Sequence, residues 1–212
     1  MTLNIKDKPK DGFERVVYAE EDKFNFYSVI AIHNTKRGPA LGGCRYFNYQ
    51  DFNKQEEDVL KLAEAMTYKN SLAELPFGGG KATIHSKINK KDAYSLFGEV
   101  LNKLNGTYIT AGDMGTVDED LRGFREYSDH VCNPIGSDSG LGTALGVYYS
   151  MLGCVEFKFG QDSLVNKNIF IKGYGKTGSR IASLCKKDGA NIEISDLEHK
   201  KDLIERDGYK FC

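Results

Sequence analysis

The chain has 212 residues, 40% hydrophobic and 28% charged, with 29 Lys and Arg against 30 Asp and Glu; it will fold into one large or two modest domains, and it lacks the basic field that nucleic acid or an anionic membrane would require. Cys44, Cys132, Cys154, Cys185 and Cys212 are odd in number, scattered and never in a C-x-x-C pair, which argues against a disulfide framework or a zinc site and for reduced cytoplasmic thiols. The opening MTLNIKDKPKDGFERV has no apolar signal core, and no run nears the roughly 18 apolar residues of a membrane span, so a soluble protein with a small-molecule partner and no metal is expected.

Residues 24–32 are dense in aromatic and β-branched side chains and predict a strand buried on at least one face, followed by a loop over 33–38. From Asn53 onward Val59, Leu62, Ala63 and Met66 recur at helical spacing, with Asn53 and Glu56 placed as a capping box. This helix delivers Lys69 near its C-terminal end. A glycine-rich turn over 78–80 leads to a short strand at 82–84; a helix follows from Asp92 to about Leu104, then a strand at 108–110 that ends in Gly112 and Asp113. These alternations describe a first α/β domain over residues 1–134. Residues 133–142 have the Gly, Ser and Asp content of an interdomain hinge or binding loop. Thr143 is placed to cap a helix from Ala144 to about Phe157, with Leu145, Tyr148, Tyr149 and Leu152 on its apolar face, and a second domain occupies 135–212.

In that second domain a β-rich run, 168–172, is followed by Gly173-Tyr174-Gly175-Lys176-Thr177-Gly178 and a helical pattern at 179–185. Strand, glycine loop and helix in this order form a dinucleotide site: Gly173 permits the tight turn, Gly175 the close approach of a diphosphate, and Gly178 the packing of helix on strand. A second strand, 191–195, ends at Asp196, 18 residues beyond Gly178, where a carboxylate accepts hydrogen bonds from ribose hydroxyls and repels a 2′-phosphate. NAD is therefore expected rather than NADP. The competing reading is three glycines in an ordinary turn. A Walker loop is excluded, because it needs glycine where Phe170 stands.

Upstream, Gly38-Pro39-Ala40-Leu41-Gly42-Gly43 and two lysines, Lys69 and Lys81, go beyond what nucleotide binding needs. Gly42 and Gly43 expose backbone that would assist Lys69 in binding a carboxylate. Lys81, hemmed in by glycine backbone, is placed for desolvation, which lowers an amine pKa toward neutrality. Asp113, between Gly112 and Gly115, is a candidate acid-base partner. Against this, helix-end lysines are usually solvated and an Asp among glycines is usually a turn residue.

The motifs MTYKN, LPFGGGK, TAGDMGT and TALGVY, in that order before a GxGxxG, resemble the leucine/phenylalanine/valine dehydrogenase branch of the amino-acid dehydrogenases. The resemblance runs from about Tyr27 to Asp196. It implies an α/β protein with an N-terminal α/β substrate domain followed by a partial doubly wound (Rossmann) nucleotide-binding domain. It also implies that Lys69 binds the substrate carboxylate, Lys81 handles water and the carbonyl oxygen, and Asp113 moves protons to and from the amine. Thr143 is similar to a threonine near nicotinamide and substrate; Leu41 and Ala111 resemble pocket-lining positions of an apolar slot. The implied reaction is NAD-dependent oxidative deamination of an apolar L-amino acid to a 2-oxo acid and ammonia, with cleft closure about a hinge near residues 134–143 and assembly as a homo-oligomer.

Members of that family continue beyond the first half of the nucleotide fold, whereas residues 208–212 stand about where a third strand would begin. A fragment or shortened product is the expectation, with apolar surface around Ile192 and Ile194 poorly covered. Two functions follow: the dehydrogenase itself, or a catalytically silent relative that binds amino acid or partner subunits.

Overall fold

Two strands precede the first predicted one: β1 (Asn4–Asp7) and β2 (Arg15–Glu21), paired antiparallel. They belong to a computed structural model that describes residues 3–132 and 139–212. The expected strand at 24–32 is β3, shifted to Phe26–Asn34. Phe24 instead ends a short 3-10 turn closed by Asn25 in the left-handed region, φ 52°. The helix α1 spans Phe52–Leu72 and is capped by Asp51, whose carboxylate accepts from the Lys54 amide at 2.8 Å. The expected Asn53–Glu56 capping box does not form, because Glu56 faces Tyr18 and Lys10 and pairs with both.

The expected glycine-rich turn over 78–80 is part of a strand, and residues 40–43 are in a strand as well. β4 (Ala40–Phe47) and β5 (Gly78–His85) run parallel, and all eight residues of β5 are buried. Gly79 serves helix packing: a Cβ there would lie 2.1 Å from the Thr67 amide nitrogen of α1. With β6 (Tyr108–Gly112) these strands complete a six-stranded sheet in the order β1-β2-β3-β5-β4-β6, antiparallel on one side and parallel on the other.

Strand alternation gives the sheet two apolar faces. Ile30, Ile32, Ala82 and Ile84 meet Phe97 and Leu101 of α2 (Lys90–Lys103) and Phe124 of α3 (Asp118–Arg125). Val16, Tyr18, Val29 and Ala31 meet Val59 and Ala63 of α1. Burial of one such side chain contributes about 2 kcal/mol. α2 starts two residues before the expected Asp92 because Asn89 accepts from the Lys91 amide and caps it.

The contacts divide the chain into two units, 1–135 and 136–212. The expected hinge lies largely at 133–138, outside the described residues. In the second unit α4 is Ser139–Phe159, so Thr143 sits inside the helix and does not cap it. β7 (Asn168–Lys172), β8 (Asn191–Ser195) and β9 (Lys210–Phe211) form a parallel sheet in sequential order. α5 (Gly178–Lys187) and α6 (Lys201–Arg206) connect them. The protein is thus α/β throughout. Ile194 is fully buried with Ile181, Cys185 and Ile204, and Ile192 packs against the same cluster. The expectation of poor cover at these residues is corrected: they face the crossover helices, and the exposed apolar side chain of the sheet is Phe170, 61% exposed. Among the described residues no helix is long and apolar enough to cross a membrane, and no His, Cys, Asp and Glu cluster could hold a metal ion.

Candidate active site

Lys81 sits in the middle of β5, opposite Ala31 of β3, and is 5% exposed. Because Ala82 and Ile84 point to the α2 face, alternation turns Lys81 to the α1 face. A lysine so placed requires an anion, and Asp113 at the C-terminal end of β6 supplies it, with Oδ2 3.2 Å from Lys81 Nζ. Asp113 is fixed by its turn. Its amide donates to Thr116 Oγ1 at 2.8 Å, and that hydroxyl donates to the Cys44 carbonyl at 2.8 Å.

The same carboxylate oxygen receives Arg45 Nε at 2.8 Å. Arg45 lies on β4, and its Nη1 reaches both oxygens of Asp58 on α1 at 3.1 and 2.8 Å. The Tyr49 hydroxyl donates to Asp58 Oδ2 at 2.7 Å. Arg45, Asp58 and Tyr49 are neighbours of the pair that local sequence does not mark. The one trace is that Arg45 follows Gly43 by two residues and so shares its side of the strand.

Burial pushes the Lys81 ammonium below its ordinary range; Asp113 opposes this and Arg45 adds to it. Burial alone would raise Asp113, but Lys81 and Arg45 outweigh it and hold the carboxyl below its usual value. A buried amine with a depressed pKa beside an ionised carboxylate is equipped to exchange protons.

Of the other predicted residues of this unit, Leu41, Gly42, Gly43 and Ala111 lie on the parallel strands β4 and β6 and Lys69 on α1. Gly43 pairs with Ala111, and Leu41 with Gly79 and Ile109; Leu41 and Ala111 are half-buried. Gly43 makes room for the acid: a Cβ there would lie 2.8 Å from Asp113 Cβ and 2.5 Å from the Gly112 carbonyl. The Gly42 carbonyl accepts from the buried Tyr108 hydroxyl at 2.6 Å. Lys69 is exposed in the last turn of α1. Its neighbour Asn70 fastens that turn to the strands, donating to the carbonyls of Leu41 at 3.2 Å and Gly78 at 2.6 Å.

In the second unit the glycine loop follows β7 directly. Gly173 has φ 102°, a left-handed conformation, and its amide donates to Ser195 at 2.7 Å. Gly178 opens α5, where a Cβ would lie 1.9 Å from the Gly173 carbonyl; around Gly175 a Cβ would meet nothing within 4 Å. Lys176 is exposed and Thr177 half-buried between them. Asp196 follows β8 and binds the loop itself, its Oδ2 accepting from the Tyr174 amide and its Oδ1 from the Leu197 amide at 2.6 Å. Those two amides, Tyr174 first, hold its carboxyl below the ordinary range. Thr143 is exposed on α4 and lines an apolar groove of about 820 Å³ together with Val147, Met151, Val155, Leu164 and Ile169.

A family model described as the Glu/Leu/Phe/Val dehydrogenase dimerisation domain matches residues 14–129. The chain is 38% identical over 195 residues to phenylalanine dehydrogenase of Thermoactinomyces intermedius, covering 88% of this chain and 53% of that protein. Leucine dehydrogenase of Bacillus subtilis is 37% identical over 210 residues, covering 95% and 57%. The crystal structure of L-tryptophan dehydrogenase from Nostoc punctiforme superposes with a TM-score of 0.69 at 26% identity, over 95% of this chain and 59% of that one. Hetero-hexameric glutamate dehydrogenase from Thermus thermophilus shares the fold, with a TM-score of 0.67 at 18% identity over 99% and 56%. The chain spans little more than half the length of each of these relatives.

Proposed function

The chain belongs to the Glu/Leu/Phe/Val dehydrogenase family, and from that premise we propose that it serves NAD-dependent oxidative deamination of an apolar L-amino acid, of the leucine, valine or phenylalanine class, to a 2-oxo acid and ammonia. The observation that carries this reading is the buried Lys81–Asp113 pair at 3.2 Å. Such a pair gives one group that polarises a carbonyl oxygen or activates water and a second that takes a proton from the amine. Lys69, on the turn that Asn70 fastens to β4 and β5, binds the substrate carboxylate beside Gly42 and Gly43. Leu41 and Ala111 line the slot for an apolar side chain.

NAD, when bound, supplies the hydride acceptor. The residues that would hold it are Gly173, Gly175, Lys176, Thr177, Gly178 and Asp196. The open space around Gly175 fits a diphosphate, and the N-terminus of α5 presents its positive dipole end to the loop. The Asp196 carboxylate favours ribose hydroxyls over a 2′-phosphate. We place homo-oligomer formation in the first unit, the part that the dimerisation-domain model matches, and the protein in the cytoplasm, where five free thiols stay reduced.

The test is the purified chain with NAD and leucine, valine, isoleucine or phenylalanine, followed by NADH absorbance. Turnover with at least one amino acid is expected; Lys81→Ala abolishes it while sparing amino-acid binding, and Lys69→Ala weakens binding. Measurable binding without turnover of any of the four overturns the reading in favour of a catalytically silent relative.

A further inference from the structure

Two cations converge on one oxygen of Asp113: Arg45 Nε at 2.8 Å and Lys81 Nζ at 3.2 Å. A carboxylate between two cations binds each less tightly than it would bind one alone, because each neutralises part of the charge that the other meets. Arg45 is the fixed member of this trio. Its Nη1 is gripped by both oxygens of Asp58, and Tyr49 holds Asp58 in turn. Lys81 is the member with the longer contact.

We propose that Arg45 is a positioning residue for the Lys81–Asp113 pair: anchored by Asp58 and Tyr49, it holds Asp113 in place and ionised while competing with Lys81 for the same oxygen, so that the lysine amine is not locked into the ion pair. The proposal rests on the reading of Lys81 and Asp113 as the reacting groups. An always-charged, planar donor suits the task, since its two edges serve Asp113 and Asp58 together. A lysine at position 45 has one point charge and cannot bridge both carboxylates. The charged and titratable groups facing Lys81 are Asp113 from the β6 turn and Arg45 and Cys44 from β4. Cys44 is fully buried, and burial pushes its thiol well up, so it stays neutral. Asp113 and Arg45 therefore set the charge balance at the amine.

The competition has a signature that a purely structural role lacks, because two substitutions move Lys81 in opposite directions. Arg45→Gln removes the competing cation and leaves Asp113 to Lys81, raising the titration midpoint of the Lys81 amine by about one pH unit. Asp58→Asn removes the carboxylate that shares the guanidinium charge with Asp113, so more of that charge meets Asp113 and Lys81 and the midpoint falls. Arg45→Lys keeps the charge without the bridge and gives a midpoint between wild type and Arg45→Gln. The measurement is the pH titration of lysine side-chain amines by NMR on the full chain, with the Lys81 signal assigned by its loss in Lys81→Arg. Opposite shifts in Arg45→Gln and Asp58→Asn support the proposal; an unmoved midpoint, or shifts of the same sign, overturns it. If Arg45→Gln does not fold, the Asp58→Asn and Arg45→Lys shifts decide by their signs. No cofactor or turnover enters this experiment, so it fails independently of the dehydrogenase reading, which fails by itself in the amino-acid panel.

Discussion

Lys81 lies inside a strand whose eight residues are all buried, whereas the half-buried Asp196 follows the middle strand of a three-stranded sheet, its carboxylate bound to two backbone amides. The first site is made by tertiary structure: β4, β5, the β6 turn and α1 each bring one member of the Lys81, Asp113, Arg45 and Asp58 group. The second is made by chain order, since strand, turn and helix succeed one another within residues 168–187. Charge in the buried site is set by neighbours and by desolvation, and charge in the glycine loop by local amides. Substitutions in the first should therefore change stability, pH dependence and chemistry together. In the second, stability and ligand affinity should separate.

The largest expected effect is at Asp113. Asp113→Asn leaves Lys81 facing Arg45 without an anion of its own, and should cost about 3 kcal/mol of unfolding free energy together with about a thousandfold of turnover, measured by urea unfolding and by NADH formation. Its pH dependence follows from the sign of the shift. The Asp113 carboxyl titrates below its ordinary value of 3.8, so its contribution is complete above that value and is lost as pH falls through the lower folded one. The acid limb of a stability-pH profile should lose part of its slope in Asp113→Asn; an unchanged limb would show that the carboxylate is not held by its cations. Lys81 acts with the same sign in a more alkaline window. Its folded pKa lies below 10.5, so stability grows as pH rises from that folded value toward 10.5.

Next in size is Gly178→Val, which drives a side chain into the Gly173 carbonyl and should destabilise the second unit by about 3 kcal/mol. Gly175→Ala sharpens the contrast. With no atom within 4 Å of the added methyl, its thermal midpoint should stay level or rise slightly, while NAD affinity measured by calorimetry falls. Equal loss of stability in both variants would contradict the separate roles of these glycines. The smallest effect is Asp196→Ser, which should leave the unfolding midpoint nearly unmoved and narrow the preference for NAD over NADP a few-fold in the same titration; an unaltered preference would remove Asp196 from the ribose site.

What was legible in sequence follows the same division. β7, the glycine loop and β8 were readable because each residue's task is set by its neighbours in the chain: Gly173 adopts a left-handed turn, and Gly178 has no room for a side chain. Lys81 and Asp113 were visible as unusual residues, and their contact emerged only when β4, β5 and β6 aligned. The glycines at 78–80 read as a turn because glycine signals one locally, whereas in β5 Gly79 admits a helix against a strand. Arg45 and Asp58 were silent because 13 residues separate them and only packing of α1 on the sheet joins them. Thr143 was placed one turn wrong, as α4 continues through it from Ser139.

The central claim is that Lys81 and Asp113 form the proton-handling pair of an amino-acid dehydrogenase. Its most direct test is the rate of leucine-dependent NADH formation against pH for the wild-type chain and Lys81→Ala, with leucine binding measured in parallel. The expected result is a rate in the wild type that rises with pH through a midpoint below 10.5, and no pH-dependent rate in Lys81→Ala although leucine still binds. A Lys81→Ala chain that keeps the wild-type rate and profile would contradict the claim.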